Sequence, residues 1–284
     1  MSEIVGVHGV GNYAPGPHEE VSDRLSSEWG RHLARLVDGA SHKLRVAYYA
    51  PFLRSVTPQS KGDGLEQLPE NAQSMVRDWA LCLEPVDEQA MQGHLTLPLR
   101  MVVDRIARIR CLNESVLRPF VATFFWEVAA YLRPGANEAR TKACRHVART
   151  ISEERPRVVV AHSLGSVVAY EALWTIPDVP IDLLLTLGSP LGMPRVVFDR
   201  LTPSPASRGQ RPPGVRRWVN IVDPGDVVAI PRPLGRQFEL DQDIETAIGL
   251  IDFHTAAAYL SAARTSEVLA AYFPLAGQPL EHPE

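Results

Sequence analysis

The sequence has few cysteines, and neither they nor the histidines form a metal-binding pattern. Its three cysteines, Cys82, Cys111 and Cys144, are widely spaced and include no C-x-x-C pair. This set predicts no disulfide framework and favours reduced thiols in a cytoplasmic protein. The nine histidines include no H-E-x-x-H or H-x-H cluster, so we expect no metal site.

Long apolar runs and a charge excess are also missing. No stretch approaches the roughly 18 consecutive apolar residues that span a bilayer, so we expect no transmembrane helix. The first residues lack the basic region and apolar run of a signal peptide, which again favours the cytoplasm. The 29 basic and 33 acidic side chains leave a formal charge of −4, which would not recruit nucleic acid. The 284-residue chain is 45% hydrophobic and can bury a sizeable core.

The sequence around Ser163 predicts a strand, a tight bend and a helix. Residues 158–160 are consecutive valines, which indicates a strand buried on both faces of a parallel sheet. Apolar residues then continue through 164–173, which predicts a helix. Ala161 and Gly165 flank Ser163 at two positions on either side, as a strained bend requires small neighbours. The bend would place the serine hydroxyl at the carboxyl edge of the sheet, near the positive end of a helix dipole.

This bend resembles a known catalytic motif. The string A-H-S-L-G, residues 161–165, resembles the nucleophile elbow G-x-S-x-G of the α/β-hydrolase superfamily, with alanine in the first glycine position. The resemblance implies that Ser163 is a nucleophile; the alternative is a serine that only caps the helix. An apolar strand over residues 4–7 ends in H-G-V-G-N, which resembles the oxyanion loop of lipases and esterases. Carried onto this chain, it implies oxyanion donors at the N–H groups of Val10 and Leu164.

An acid and a base follow the serine in the chain. Asp223 and Asp226 both come directly after a strand predicted over residues 215–222, where a triad acid belongs. Asp226 is favoured, because D-V-V-A resembles the sequence around the acid in related hydrolases, whereas Asp223 is expected to cap a turn before a proline. His254, at the start of the last predicted helix, is the expected base. The order Ser163, Asp226, His254 is the order of this superfamily.

Three further polar residues near these motifs are predicted to be structural. We expect His8 to shape the loop after the first strand, because the base should come late in the chain. His162 should point to the other side of the bend, by strand alternation. Ser189 follows a strand predicted over residues 181–187 and lacks the small flanking residues of an elbow, so we expect it at the rim of the site.

Other stretches show the alternation of helices and strands that makes a parallel sheet. Apolar residues at spacings of three and four predict helices over 18–38 and 137–154. Strands are predicted over 44–49 and, near the end of the sheet, over 238–240. A strand, a helix and a strand in succession imply a right-handed parallel crossover.

Between Pro51 and Pro134 this alternation stops. Helices are predicted near residues 66–82, 98–112 and 115–132, and the last carries an aromatic stripe that would belong to the core or to a lid over the site. Five arginines are clustered in this stretch: Arg100, Arg105, Arg108, Arg110 and Arg118. They form either a solvated helix face or a site for a carrier protein, coenzyme A or an anionic head group.

The sequence therefore predicts an α/β protein with a mostly parallel, doubly wound sheet of the α/β-hydrolase type. Residues 1–50 and 135–284 would form the core, and residues 51–134 a helical cap. The strings A-H-S-L-G-S, L-G-S-P-L-G and W-V-N-I-V-D-P-G-D-V-V-A are similar to intracellular lipase/esterase-like proteins related to GPI-inositol-deacylase-type serine esterases.

This resemblance implies hydrolysis of a small acyl ester or thioester through an acyl-enzyme, without a metal or organic cofactor. Two alternatives stay open at this point. One is a thioesterase, acyltransferase or cyclase of a biosynthetic pathway, with a possible carrier-protein partner. The other is a non-catalytic binding protein on the same scaffold.

Overall fold

A parallel sheet forms the centre of the structure. The computed structural model describes residues 2–34, 44–53, 64–83, 97–249 and 254–273. Within these ranges six strands, all parallel, form one sheet in the order β2-β1-β3-β4-β5-β6. The strands are β1 (Ile4–Val7), β2 (Leu44–Ala47), β3 (Val158–His162), β4 (Ile181–Leu187), β5 (Val215–Val222) and β6 (Gln242–Glu245).

Helices cover both faces of this sheet. They are α1 (His18–Ala34), α2 (Ala50–Leu53), α3 (Glu70–Leu83), α4 (Leu99–Ile109), α5 (Glu114–Tyr131), α6 (Glu138–Glu154), α7 (Leu164–Trp174), α8 (Ala256–Leu260) and α9 (Ala263–Ala270). On one face, α1 packs against the sheet, and α8 and α9 share its apolar core; on the other, α6 and α7 pack against the sheet, and α2 to α5 share the same apolar core. The predicted α/β fold with a parallel sheet is confirmed.

Each face of the sheet has its own apolar core, which explains the unbroken valine run of β3. Val158 and Val160 belong to the core under α1, whereas Val159 and Ala161 belong to the core under α7. Because successive side chains of a strand point to opposite faces, a strand buried on both faces has no polar positions.

The strand order places a crevice where the chain changes direction across the sheet. The connection from β1 leads to β2 on one side, and the chain then returns to β3 on the other side of β1. The loops after β1 and β3 therefore diverge at the carboxyl edge, where ligands bind in open parallel sheets. These loops carry the H-G-V-G-N string and Ser163.

The helices between β2 and α6 share one continuous apolar core with the sheet. Trp79 of α3 and Phe125 of α5 lie in the same apolar cluster as Val5 and Val159 of the sheet. The indole Nε1 of Trp79 donates a 2.7 Å hydrogen bond to the carbonyl of Val227, in the loop after β5. The division into a core and a cap over residues 51–134 stays a prediction. None of the described helices is both long and apolar enough to cross a membrane.

One predicted strand is wrong and others differ at their ends. The last strand is Gln242–Glu245, not residues 238–240. Phe238 is instead fully buried in the core, with a single bridge to Gly209. The prediction relied on apolar residues, but β6 is an edge strand with exposed or half-buried side chains and does not require apolar residues. Strand β2 ends at Ala47 and α1 at Ala34; residues 35–38 of the predicted helix lie outside the described residues.

Candidate active site

Ser163 occupies a strained bend between β3 and α7. Its backbone angles are φ 54° and ψ −132°, which a non-glycine residue adopts only when its surroundings hold it there. Gly165 follows because a Cβ at that position would lie 2.3 Å from the carbonyl oxygens of Val7 and His8. The bend is therefore pressed against the end of β1, and the small residue that the sequence motif requires has a direct steric cause.

Hydrogen bonds join the three residues that the sequence singles out. Ser163 Oγ lies 2.7 Å from His254 Nε2, and His254 Nδ1 lies 2.7 Å from Asp226 Oδ2. The side chains of His254 and Asp226 are 2% and 0% exposed. The loops after β3 and β5 and the turn before α8 thus bring together residues that are up to 91 positions apart in the chain. Their catalytic roles are proposed below.

The Asp226 carboxylate is held at both oxygens. The N–H groups of Val228 and Ala229 donate to Oδ1 at 2.8 and 3.2 Å. Tyr259 Oη donates to Oδ2 at 2.7 Å, beside the His254 bond. Burial and the adjacent Asp226 raise the pKa of Tyr259, so the phenol stays a donor. Sequence reasoning missed Tyr259, because no motif distinguishes it from other core aromatics.

Asp223, the other candidate acid, caps the surrounding turns. Its Oδ1 accepts the N–H of Gly225 at 2.5 Å, and its Oδ2 accepts that of Ile248 at 2.6 Å. Both oxygens are thereby engaged with backbone rather than with His254. This is the turn-capping arrangement expected for Asp223 from its place before a proline.

The loop after β1 is shaped by His8 and Asn12. Burial lowers the pKa of His8 to about 4, so its imidazole ring is neutral. Nδ1 of the ring lies 2.8 Å from the carbonyl oxygen of Gly9, and Nε2 accepts the N–H of Tyr49 at 3.2 Å. The Asn12 amide donates to the carbonyls of Gly9 and Val10 at 3.0 Å each. These hydrogen bonds to the Gly9 and Val10 carbonyls fix the orientation of the peptide planes in the loop. The structural role expected for His8 agrees with these contacts.

Glu127 of α5 reaches the same loop, and sequence reasoning missed it. Its Oε1 accepts the N–H of Gly11 at 2.9 Å. Its Oε2 is buried and has no hydrogen-bond partner within the described part of the chain. Burial raises the pKa of Glu127 to about 7. A glutamate within the apolar second half of α5 is the signal that could have indicated a buried carboxyl group.

His162 lies closer to the site than predicted. Its ring centroid is 4.9 Å from that of His254 and 5.8 Å from that of Tyr259. Alternation along β3 does carry His162 to the face of Val160, but α8 brings His254 and Tyr259 to that same face. Burial lowers the pKa of His162 well below its usual range, and its Nε2 has no partner among the described residues.

Ser189 braces the bend instead of lying at an exposed rim, so the predicted location is wrong. It is buried, and its Oγ lies 2.7 Å from Ser166 Oγ and accepts the Leu191 N–H at 3.3 Å. Ser166 Oγ donates in turn to the carbonyl of Ser163 at 2.7 Å. Ser189 of L-G-S-P-L-G and Ser166 of A-H-S-L-G-S therefore support the backbone of the bend from within the fold.

The aromatic residues of α5 lie in two environments. Phe124 and Phe125 are buried in the core. Phe120, one turn earlier and only partly buried, packs edge-on against His254 with ring centroids 5.3 Å apart. Ser163 is fully buried. That the stripe belongs to a lid stays a prediction. A pocket of about 470 Å³ lies beside His254 and is lined in part by Phe120.

The arginines of α4 and α5 do not line this pocket. Arg118 pairs with Asp104 at 2.5 Å and with Glu114 at 2.9 Å. Arg110 donates to the Leu83 carbonyl at 3.3 Å. Arg100, Arg105 and Arg108 are exposed, as on a solvated helix face, whereas Arg110 and Arg118 are partly buried. Within the described ranges, no group of three or more His, Cys, Asp or Glu residues could hold a metal ion.

Comparisons with known proteins give little beyond this geometry. No protein-family model matches the chain, and no curated protein matches it. Among solved structures, the esterase domain of a Rhodothermus marinus protein is similar, at 16% identity with a TM-score of 0.30. The match covers 51% of this chain and 76% of that chain. A similarity of this size carries no argument about activity.

Proposed function

We propose that the protein is a serine hydrolase that cleaves a carboxylic ester through an acyl-enzyme intermediate. The observation that carries the proposal is the unbroken hydrogen-bonded chain from Ser163 Oγ through His254 to Asp226. A serine hydroxyl is a weak nucleophile, and a neighbouring imidazole that accepts its proton makes it a strong one. The strained bend and the four hydrogen bonds to Asp226 hold the side chains of Ser163, His254 and Asp226 in position.

The acylation step uses His254 as base and then as acid. Nε2 of His254 takes the Ser163 proton while Oγ attacks the ester carbonyl, and the carbonyl electron pair moves onto oxygen. The N–H groups of Val10 and Leu164 have no hydrogen-bond partner within the described chain and would stabilise this oxyanion. When the tetrahedral intermediate collapses, the ester C–O bond breaks and His254 Nε2–H protonates the departing alkoxide.

Deacylation repeats these steps with water as the nucleophile. His254 removes a proton from water as its oxygen attacks the acyl carbonyl. The bond to Ser163 Oγ then breaks, Oγ recovers the proton from His254, and the carboxylic acid leaves. Asp226 keeps the proton of neutral His254 on Nδ1 throughout, and its negative charge stabilises the imidazolium form in both steps.

Active-site labelling tests the proposal directly. An alkyl fluorophosphonate should form one covalent adduct on the purified protein, and mass spectrometry of the digested protein should locate it on Ser163. The Ser163→Ala variant should form none. The Ser27→Ala variant is the matched control, because Ser27 is an exposed serine of α1. An unlabelled native protein, or equal labelling of Ser163→Ala, would leave a non-catalytic binding protein as the better description.

A further inference from the structure

The pocket beside His254 is lined by apolar and polar side chains and a carboxylate. It lies between the loop after β1, helices α1 and α5, and the turn before α8. Leu25, Trp29 and Phe120 form the apolar wall, and Asn12 and Thr123 contribute polar groups. Its volume of about 470 Å³ is in the range of pockets that enclose most of a small ligand.

No arginine or lysine occurs among the described residues that line this pocket. Its carboxylate, Glu28, is exposed. His32 is engaged with Ser261 Oγ at 2.9 Å. An anionic group that enters a largely apolar pocket loses its hydration and needs a cationic partner in return. The described walls offer no such partner, and the Glu28 charge adds repulsion.

His162 lines the pocket without adding a charge to it. The residue is 5% exposed, and burial lowers the pKa of its imidazole well below the usual range. The ring is therefore neutral and offers no cationic partner to an anionic ligand.

We propose that this pocket is the subsite that receives an uncharged, largely apolar part of the substrate, and that it excludes anionic groups. This inference rests on the proposed ester hydrolysis at Ser163. It makes esters of neutral small molecules the substrate class and disfavours thioesters on anionic carriers.

Three fluorophosphonates with equal six-carbon tails test the charge preference. The tails end in a methyl, a carboxamide or a carboxylate; the last two have nearly the same shape and differ in charge. We expect Ser163 labelling by the methyl and carboxamide probes to be at least about tenfold faster than by the carboxylate probe. The difference should persist at about 0.5 M NaCl, where the field of the whole protein is screened.

A pair of charge-reversal variants on α1 separates the pocket from the net charge. Glu28→Lys changes a residue at the pocket, and Glu20→Lys makes the same change at an exposed position outside it. Glu28→Lys should narrow the carboxamide-to-carboxylate rate ratio at least about threefold, and Glu20→Lys should leave it unchanged.

The outcomes distinguish this inference from the proposed function. If no probe labels Ser163, the proposed function itself fails. If all probes label Ser163 and the carboxylate probe reacts as fast as the carboxamide probe, the hydrolase stands and the subsite assignment is overturned. Equal effects of Glu28→Lys and Glu20→Lys would also overturn it, because the preference would then come from net charge.

Discussion

The Asp226 carboxylate accepts four hydrogen bonds, whereas Asp223, three residues earlier, accepts two from backbone N–H groups. Both residues come directly after β5, so their positions in the sequence distinguish the two candidate acids only weakly. The difference arises from the direction of each side chain once the loop is folded. Asp226 points to His254, and Asp223 points to the turn around Ile248.

We predict that Asp226→Asn lowers kcat/KM by about a thousandfold or more, because an amide cannot hold the productive tautomer of His254. Asp223→Asn keeps an acceptor for one of its two backbone bonds, so its loss should stay within about tenfold. Hydrolysis of p-nitrophenyl acetate measures both, with circular dichroism to confirm folding. The opposite ranking of the two variants would assign the acid to Asp223.

Glu127 is the second residue whose environment determines its behaviour. Its carboxyl group is buried against the loop after β1, and burial raises its pKa from 4.5 to about 7. Between these two pH values the folded protein binds more protons at Glu127 than the unfolded chain does. The free energy of unfolding therefore falls as pH rises through this window.

We predict that Glu127→Gln removes this loss of stability at high pH. The raised pKa of Glu127 corresponds to a loss of about 3 kcal/mol in the free energy of unfolding above pH 7 and to almost no loss below pH 4.5. Urea unfolding from pH 5 to pH 8 should show a flatter pH dependence in Glu127→Gln than in the native protein. Glu20→Gln, at an exposed position of α1, is the control and should follow the native curve. If Glu127→Gln shows the same change of unfolding free energy with pH as the native protein, the pH dependence does not come from Glu127.

At the scale of secondary-structure elements, α5 links the core to the site. Its middle residues, Phe124 and Phe125, are buried in the apolar core that also includes residues of the sheet. One turn earlier, Phe120 covers His254, and toward the other end Glu127 holds Gly11 of the loop after β1. One helix therefore both covers His254 and supports the loop that carries Val10, the proposed oxyanion donor.

We predict that Phe120→Ala opens the way to Ser163. Labelling by the methyl-ended fluorophosphonate should become several-fold faster, at a stability cost of about 1–2 kcal/mol for a partly exposed side chain. Phe125→Ala is the matched control on the same helix, and it should cost about 3–5 kcal/mol of stability without faster labelling. Thermal unfolding and labelling rates check both. An unchanged rate in Phe120→Ala would show that this ring does not limit access.

At the scale of the whole molecule, the site lies where the strand order reverses. The loops after β1 and β3 diverge at the carboxyl edge, and the loop after β5 and the turn that carries His254 lie at the same edge. Helices cover both faces of the sheet, and the polar groups of the site lie at this edge. These segments belong to distant parts of the chain, and the folded sheet brings them together.

The sequence by itself determined the parallel sheet and the bend at Ser163. The valine run of β3 and the small residues around Ser163 are local signals, and local patterns predict local structure. The polar edge strand Gln242–Glu245 could not be found this way, because an edge strand forms from hydrogen bonds to its neighbour and not from its own apolar pattern.

Tertiary structure alone decided which groups surround the predicted residues. Three contacts show this: Tyr259 with Asp226, Glu127 with Gly11, and His162 with His254. Their residues are between 33 and 116 positions apart in the chain. No local pattern encodes such contacts, because they depend on how separate loops and helices meet above the sheet. For the same reason, the charge and shape of the pocket beside His254 became visible only in the folded chain.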